Sequence, residues 1–398
     1  MPNTPSSRAF EIQLAPVDIA AFVDVFAQGP LHEPVPVQSW QEFQMLFGGF
    51  EATSEASYGV YLFFENGGEF AWIVRVEDAS KTGLALVSSS GERQASPSSI
   101  ARCLLGSASG NTGIYALRTL RRKKPGLLVI PQAAEIGSEG VKVYREALTL
   151  CRELGMMLLV DPPLMADSPA EMRAWLNENP DLAQPEAVLY YPRVLFPDAL
   201  QHGRNRSFGP SGCVAGLYSW LDQERGVWQS PSGLHAPLEA VMVGRDLGPE
   251  DQSSLALLGA NAIRDFPGHG VVLWGARTLA TKQAPEPERR YVSLRRFMLA
   301  IERSLQTDLP LVLDATNDEA LWAKVRGLVE PFFEGLWRRG AFQGEKAEDA
   351  FFVRCDRTTM TETDLAEGRL VLQYGVALVR SGEFTLGRVA LQVGSEAE

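Results

Sequence analysis

Two apolar strands flank an amphipathic helix in the stretch GLLVIPQAAEIGSEGVKVYREALTLCRELGMMLLVDPP, residues 126–163. The strands are GLLVIP and MMLLVDPP, and each is the short continuous apolar run that is typical of a strand buried on both faces. The helix between them is GVKVYREALTLCREL, whose apolar residues recur at helical spacing. This order of elements predicts a βαβ unit and therefore a sheet that is at least partly parallel.

The same alternation continues with a second helix, PAEMRAWLNENP, and a third strand, EAVLYYPRV. Asp161 then falls just beyond a strand end, at the edge where open α/β sheets bind ligands. An enzyme would use Asp161 and the segment 190–192. However, the sequence has no dinucleotide or phosphate glycine fingerprint, no nucleophile elbow, and four histidines without a spaced metal-binding partner. We therefore prefer a turn or capping role for Asp161, and a soluble α/β enzyme acting on a small molecule remains the alternative.

Composition restricts the possible functions further. The chain has 398 residues, 45% of them hydrophobic, with a net charge of −12 and a mean hydropathy of −0.07, which indicates a soluble protein of two or three domains. It has no signal-peptide pattern and no apolar run of membrane-spanning length, so we expect synthesis to end in the cytoplasm. Its four cysteines are scattered and indicate neither disulfides nor a metal site. The acidic pI of about 5.0 argues against nucleic-acid binding.

The N-terminal region contains an extended segment, RAFEIQLAP (8–16), then an apolar strand, DIAAFVDVF (18–26), and a helix, SWQEFQMLFGGF (39–50), that Ser39 would cap. The stretch from Ser80 to Gly113 is rich in serine and glycine, and we interpret it as a surface excursion of low structural content. The basic run RRKK (121–124) is most simply a solvated loop.

A second basic segment, YVSLRRFMLAIERSL (291–305), has its apolar residues at helical spacing, which predicts one buried face. We expect its arginines to lie mainly on the other side. In a monomeric enzyme they would be a solvated face, whereas in a polymer of acidic subunits they could meet an acidic patch on a neighbour.

Several long segments, in the same order, resemble the tail sheath protein family of contractile phage tails and phage-tail-like contractile injection systems. They are DIAAFVDVFAQGPLHEPVPVQSWQEFQMLFGGF (18–50), GPSGCVAGLYSWLDQERGVWQSPSG (209–233), NAIRDFPGHGVVLWGARTLA (261–280), YVSLRRFMLAIERSL, VEPFFEGLWRRGAFQG (329–344) and AFFVRCDRTTMTETDLAEGRLVLQYGVALVRSGEFTLGRVALQV (350–393). The resemblance covers most of the chain except the stretch near residues 80–113.

The resemblance implies a mixed α/β and α+β fold with an outer α/β domain, an inner assembly domain and extended terminal arms. Residues 1–25 would supply an arm and the first strand of the inner domain, residues 26–274 the outer region, and residues 275–398 the C-terminal assembly domain with its strand arm. Sheath subunits polymerise helically around an inner tube and contract, without enzymatic activity, cofactor or metal.

The resemblance also implies strand exchange between subunits through the terminal arms. The apolar residues expected in these arms are Phe10, Ile12, Leu14, Val376, Leu378, Phe384, Leu386, Val389 and Leu391. The residues expected to contact the inner tube or a neighbour are Arg295, Arg296, Arg338 and Arg339.

The expected partners are other copies in stacked hexameric rings, the inner tube protein, baseplate and tail-terminating proteins, and paralogous sheath subunits, with no nucleic acid and no membrane. The particle would be assembled in the bacterial cytoplasm and would act in a virion tail, or as a cell-bound or released injection system.

Overall fold

The computed structural model describes residues 10–51, 54–81, 86–87, 93–281, 284, 286–313 and 316–393. The chain divides into a larger unit, residues 16–296, and a smaller unit that combines residues 1–15 with residues 297–398. The sequence analysis expected boundaries after residues 25 and 274, so the two divisions differ by 10 residues at one end and by about 20 at the other.

An eight-stranded sheet forms the centre of the larger unit, with strand order β13-β12-β8-β7-β6-β1-β3-β2. The strands of this unit are β1 (Ala20–Asp24), β2 (Val35–Val37), β3 (Ala71–Arg75), β4 (Leu86–Val87), β5 (Arg93–Gln94), β6 (Leu127–Val129), β7 (Met157–Val160), β8 (Ala187–Tyr191), β9 (Val194–Asp198), β10 (Arg204–Phe208), β11 (Met242–Val243), β12 (Ala260–Phe266) and β13 (Gly270–Trp274). The six strands from β12 to β3 are parallel, and β2 and β13 pair antiparallel at the two edges. The expected parallel sheet is therefore present.

Strand β1 lies in the middle of this sheet, between β6 and β3. All five of its residues are buried, which requires cover on both faces of the sheet. The sequence analysis expected this strand in the inner assembly domain, and the structure instead places it in the larger unit.

The helices of the larger unit cover the central sheet. They are α1 (Trp40–Phe47), α2 (Ala56–Glu65), α3 (Pro97–Leu105), α4 (Gly137–Leu154), α5 (Pro169–Glu178), α6 (Ser211–Arg225), α7 (Pro249–Ala256) and α8 (Pro287–Arg290). Two smaller sheets have the orders β10-β9-β11 and β4-β5. Ser39 caps α1 as expected, because its side chain accepts a hydrogen bond from the Glu42 N–H.

Helix α3 corrects the expectation that residues 80–113 have little structure. Ser96 and Ser99 cap its first turn reciprocally, and its Leu104 is fully buried. The serines that suggested a loop are helix-capping residues here. Residues 82–85 and 88–92 of this stretch lie outside the described residues.

The chain enters the smaller unit within α9 (Val292–Asp308). The unit then contains α10 (Glu319–Arg338), α11 (Ala347–Ala350), β14 (Phe351–Arg354), α12 (Glu362–Ala366), β15 (Arg369–Val376) and β16 (Thr385–Gln392). The three strands form an antiparallel sheet in the order β14-β15-β16. Phe333 on α10 packs against Phe342 and Tyr374, with ring centres 5.9 and 5.4 Å away, and these rings form its core.

Candidate assembly surfaces

Asp161 lies directly after β7, at the carboxyl edge of the parallel sheet, and is 1% exposed. Its carboxylate accepts hydrogen bonds from the backbone N–H of Ser211 (2.8 Å) and from the Ser211 hydroxyl (2.5 Å). Ser211 is the first residue of α6, so Asp161 serves as a cap for that helix. A capping role, which the sequence analysis preferred, is the one that this geometry supports.

A buried ion pair lies beside Asp161, and a cavity of about 200 Å³ lined by Tyr191, Pro192 and Arg193 adjoins it. Arg193, just after β8, donates two hydrogen bonds to Glu55, at 2.7 and 2.5 Å. Its other donors bond to the Pro162 carbonyl (2.9 Å) and the Ser207 hydroxyl (3.2 Å). Both side chains of the ion pair are less than 10% exposed, so the guanidinium is held by the protein itself rather than presented to a ligand.

Two further carboxyl groups face this ion pair. Asp24, at the end of β1, is fully buried and accepts hydrogen bonds from the N–H groups of Val25 and Gln132 and from the Ser54 hydroxyl. Burial raises the pKa of Asp24 to about 7 although these hydrogen bonds oppose the rise. Burial also raises the pKa of Glu135 to about 8, with the charges of Glu55 and Asp24 adding to the effect.

These groups do not form a catalytic constellation. Asp161 has a pKa raised by burial to about 6, but its partner is a helix start and not a nucleophile. Burial raises the pKa of the neighbouring Cys213 thiol well above its usual range, which disfavours the reactive thiolate. Within the described part of the chain, no cluster of three His, Cys, Asp or Glu side chains is arranged to hold a metal ion.

The sequence analysis did not find this network, because its members are far apart in the sequence. Glu55 and Arg193 are separated by 138 residues. The available signal was position: Asp24 and Arg193 lie near the ends of predicted strands and Asp161 just beyond one, and the carboxyl ends of parallel strands meet at one edge.

The arginines of α9 differ in their environment. Arg296 is 2% exposed and donates two hydrogen bonds to Asp222, at 2.8 and 2.5 Å, and one to the Val17 carbonyl at 3.0 Å. This corrects the expectation that Arg296 lies in an outward-facing strip, because its ion pair is part of the core of the larger unit. Arg295 is partly exposed and pairs with Glu186 at 2.9 Å.

Arg338, the last residue of α10, and Arg339, which follows it, are both exposed. The Arg338 side chain is 72% exposed and pairs with Glu334 one turn earlier, at 2.5 Å. Such an exposed pair contributes little to the stability of the fold. Arg339 is also exposed and lines a groove along the helix.

The N-terminal segment from Phe10 to Ala15 lies beside α10 and bounds this groove, which has a volume of about 520 Å³. Ile12 is 5% exposed, whereas Phe10 is 36% exposed and Leu14 is half-buried. The backbone N–H groups of Gln13 and Ala15 donate to the side chains of Asp308 and Ser304, at 3.0 and 2.8 Å. Side chains, and not a neighbouring strand, satisfy these two donors.

The expected C-terminal arm separates into a core part and an exposed part. Four of its residues are less than 10% exposed and belong to the smaller unit's own core: Val376, Leu378, Val389 and Leu391. By contrast, Leu386 is 72% exposed and Phe384 is half-buried against Phe352, with ring centres 5.2 Å apart. Strand β16 pairs with β15 over eight residues, so in the single chain this segment is a sheet strand and not a free arm.

The comparisons with known proteins agree with the resemblance. A model of the phage tail sheath C-terminal domain matches residues 285–392, which contain α9, α10 and the whole three-stranded sheet. A chain in the cryo-EM structure of the anti-feeding prophage helical sheath, in its contracted state, is 26% identical and superposes with a TM-score of 0.69 over 97% of this chain and 96% of that chain. Residues 285–392 therefore form a phage tail sheath C-terminal domain, and nearly the whole chain is similar to a contractile sheath protein.

Two further relatives show the same similarity. A chain in the cryo-EM structure of the anti-feeding prophage baseplate is 26% identical, with a TM-score of 0.70 over 97% of this chain and 96% of that one. The tail sheath protein of Vibrio phage KVP40 is 26% identical over 196 residues, a region that spans 48% of this chain and 28% of the phage protein. The mixed α/β and α+β architecture expected from the sequence is therefore confirmed. No helix of the described residues is long and apolar enough to cross a membrane.

Proposed function

We propose that the chain is the structural subunit of a contractile sheath, which polymerises helically around an inner tube and shortens to drive that tube through a target envelope. The observation that carries the proposal is the match to the contracted anti-feeding prophage sheath over nearly the full length of both chains. When subunits contact one another head to tail and the rotation between them does not close into a ring, they form an open helix. Rigid rotation of the subunits in such a helix can release free energy stored in the contacts between them.

The function requires no bond chemistry, and we infer that the chain has no enzymatic activity. The carboxyl edge of the sheet supports this inference because Asp161 caps a helix and Arg193 is paired with the buried Glu55, so both groups already have partners within the protein. The alternative, a small-molecule enzyme near Asp161, has no support from the relatives, which are sheath proteins.

We propose that the terminal segments link neighbouring subunits by strand addition to the sheet β14-β15-β16. Strands β14 and β16 are the edges of that sheet, and an edge strand offers unpaired backbone groups to another chain. The N-terminal segment around Phe10 is the candidate for an added strand. Within this arrangement the smaller unit would face the inner tube.

We propose that Arg338 and Arg339 contact the inner tube or a neighbouring subunit, because both are exposed at the end of α10. Arg295 is a weaker candidate since Glu186 already pairs with it. The remaining partners are baseplate and tail-terminating proteins and paralogous sheath subunits, in a helix of stacked hexameric rings. Assembly would occur in the bacterial cytoplasm, before the particle acts as a virion tail or an injection system.

Negative-stain microscopy of the purified full chain tests this proposal. Striated tubes are expected when the concentration is raised, and discrete globules under all conditions would contradict the sheath function. Deletion of residues 1–11 keeps the buried Ile12 and should leave a folded subunit, as judged by circular dichroism, that no longer forms long tubes. Normal tubes from this deletion would contradict strand addition by the N-terminal segment.

A further inference from the structure

Basic side chains from three segments lie along the edge of the parallel sheet that is formed by the amino ends of its strands. This amino edge is opposite the edge that carries Asp161. One segment is the loop 121–124 before β6, another is the end of α4 before β7, and the third is the start of α9 beside β8. The cations are Arg121, Arg122, Lys123, Lys124, Arg152 and Arg295. The family resemblance and the proposed function leave the loop unexplained.

Carboxylates within the chain neutralise this edge only in part. The side chain of Glu186, 3% exposed, pairs with both Arg295 (2.9 Å) and Arg152 (3.7 Å), so one negative charge is shared by two positive charges. Arg121, Arg122 and Lys123 are exposed and have no carboxylate partner among the residues that the structure describes. The six cations and Glu186 together carry a net charge of +5, on a chain whose overall charge is −12.

The loop is held in a defined conformation. The indole N–H of Trp72 donates to the Lys123 carbonyl at 2.8 Å, and the Lys123 ammonium lies 4.4 Å from the centre of the Phe70 ring. Lys123 has a positive φ of 48°, a conformation that costs free energy for a residue with a side chain and persists only where its surroundings hold it. Just beyond the loop, the Gly126 N–H bonds to the Ile19 carbonyl at 2.8 Å. A partner would therefore meet positions that are already ordered, and binding would lose little chain entropy.

The charge of the chain indicates what this edge binds. With six cations collected here, the rest of the molecule carries an excess of acidic groups even larger than the net −12. Two copies would repel one another unless a basic surface of one faces an acidic surface of the other. We propose that the amino edge docks an acidic surface of a second copy of this chain, a step that rests on the helical assembly proposed above.

A nucleic acid is the less suitable partner for the same edge. Proteins that bind single strands combine a basic groove with free aromatic faces on which bases stack. Here the Lys123 ammonium covers the Phe70 ring, and Trp72 is half-buried with its N–H already bonded to the loop. The acidic remainder of the chain would also repel a phosphate backbone.

Charge reversal with a matched control tests the proposal. The test variant is Arg121→Glu with Arg122→Glu, and the control is Arg102→Glu with Arg204→Glu, two exposed arginines away from this edge. The full chain is titrated at about 0.1 M NaCl, and the concentration at which tubes appear is measured by sedimentation and microscopy. We expect this concentration to rise about tenfold for the test variant and to stay close to wild type for the control. Circular dichroism should be unchanged in both variants.

A competitor identifies the chemistry of the partner surface. A peptide of ten glutamates should inhibit assembly of the wild-type chain and should have little effect on what assembly the test variant retains. If heparin binds the wild-type chain and not the test variant, while self-association is equal in both, the edge binds an external polyanion and the proposal is wrong.

The remaining outcomes separate this proposal from the sheath function. Tubes from wild type and test variant at the same concentration would overturn the docking proposal and leave the sheath function standing. An equal defect in the control would also overturn it, since net charge alone would then explain the result. If the wild-type chain forms no tubes, the sheath function fails. The docking proposal is then tested by measuring salt-sensitive self-association by sedimentation velocity. If the test variant self-associates as the wild-type chain does, the docking proposal is overturned.

Discussion

Replacement of Arg193 by methionine should lower the free energy of unfolding by about 3–5 kcal/mol at pH 8. The methionine retains much of the apolar stem but removes the two hydrogen bonds to Glu55 and the bonds to Pro162 and Ser207. Glu55 is 7% exposed, so its carboxylate would remain buried without a cation. The larger part of the loss comes from this uncompensated charge and the smaller part from the missing contacts.

A second substitution separates these two contributions. Adding Glu55→Gln removes the unpaired charge, while the amide oxygen still accepts the hydrogen bond that Gly209 donates to Glu55. The double variant should recover most of the loss, to within about 1–2 kcal/mol of wild type, because replacement of a whole buried pair costs much less than removal of one partner.

Urea unfolding followed by near-ultraviolet circular dichroism measures these differences, with an unchanged m-value as the condition for comparing midpoints. The control is Arg245→Met, whose side chain is 45% exposed and lies 3.7 Å from Asp167; it should change stability by less than about 1 kcal/mol. A loss below about 1 kcal/mol for Arg193→Met, or no recovery in the double variant, would refute the assignment of this ion pair to the stability of the sheet edge.

Three other results follow from the structure. Burial raises the pKa of Glu135 in the folded state to about 8, from an ordinary value of 4.5. Between these pH values the folded state binds more protons than the unfolded state, so stability should fall as pH rises, by at most about 1.4 kcal/mol per pH unit from this group. Glu135→Gln should flatten that slope in urea titrations from pH 5 to pH 9, and an unchanged slope would contradict this assignment. Leu391→Ala should destabilise the smaller unit by about 2–4 kcal/mol. By contrast, Leu386→Arg, at a 72% exposed position, should leave thermal unfolding unchanged and prevent tube formation. Tubes formed by the Leu386→Arg variant would argue against addition of a strand at β16. Arg338→Glu with Arg339→Glu should give folded chain by circular dichroism and few tubes enclosing an inner tube by microscopy, and abundant enclosed tubes would leave this pair as a solvated face.

Local patterns predicted the elements that local chemistry determines. Ser39 and Gly48 bound α1 as expected, because a cap and a helix stop act within one turn of the chain. The alternation of apolar strands and helices likewise predicted the parallel sheet. The serine-rich stretch before α3 was misinterpreted because Ser96 is equally suited to a loop and to a helix N-cap, and only the buried face of α3 distinguishes them.

The environments of single charged residues could not be predicted in this way. Arg295 and Arg296 are adjacent on α9, yet one is partly exposed and the other is buried. The difference arises from Asp222, which lies 74 residues away and meets Arg296 through tertiary packing. Helical spacing assigns a residue to a face of its helix, but it does not reveal which distant side chain will cover that face.

The same limit explains why Asp161 first suggested an enzyme. Its position at the carboxyl edge of a parallel sheet is where α/β proteins bind ligands, but helices α2 and α6 pack closely beside it. A Cβ at Gly212 of α6 would lie 2.3 Å from the Gly59 carbonyl of α2, and one at Gly216 would lie 2.2 Å from the Phe63 carbonyl. These glycines let the two helices approach too closely for a pocket between them. Packing of this density makes the contact between the helices stiff, which would suit the rigid rotation of subunits in the contraction proposed above.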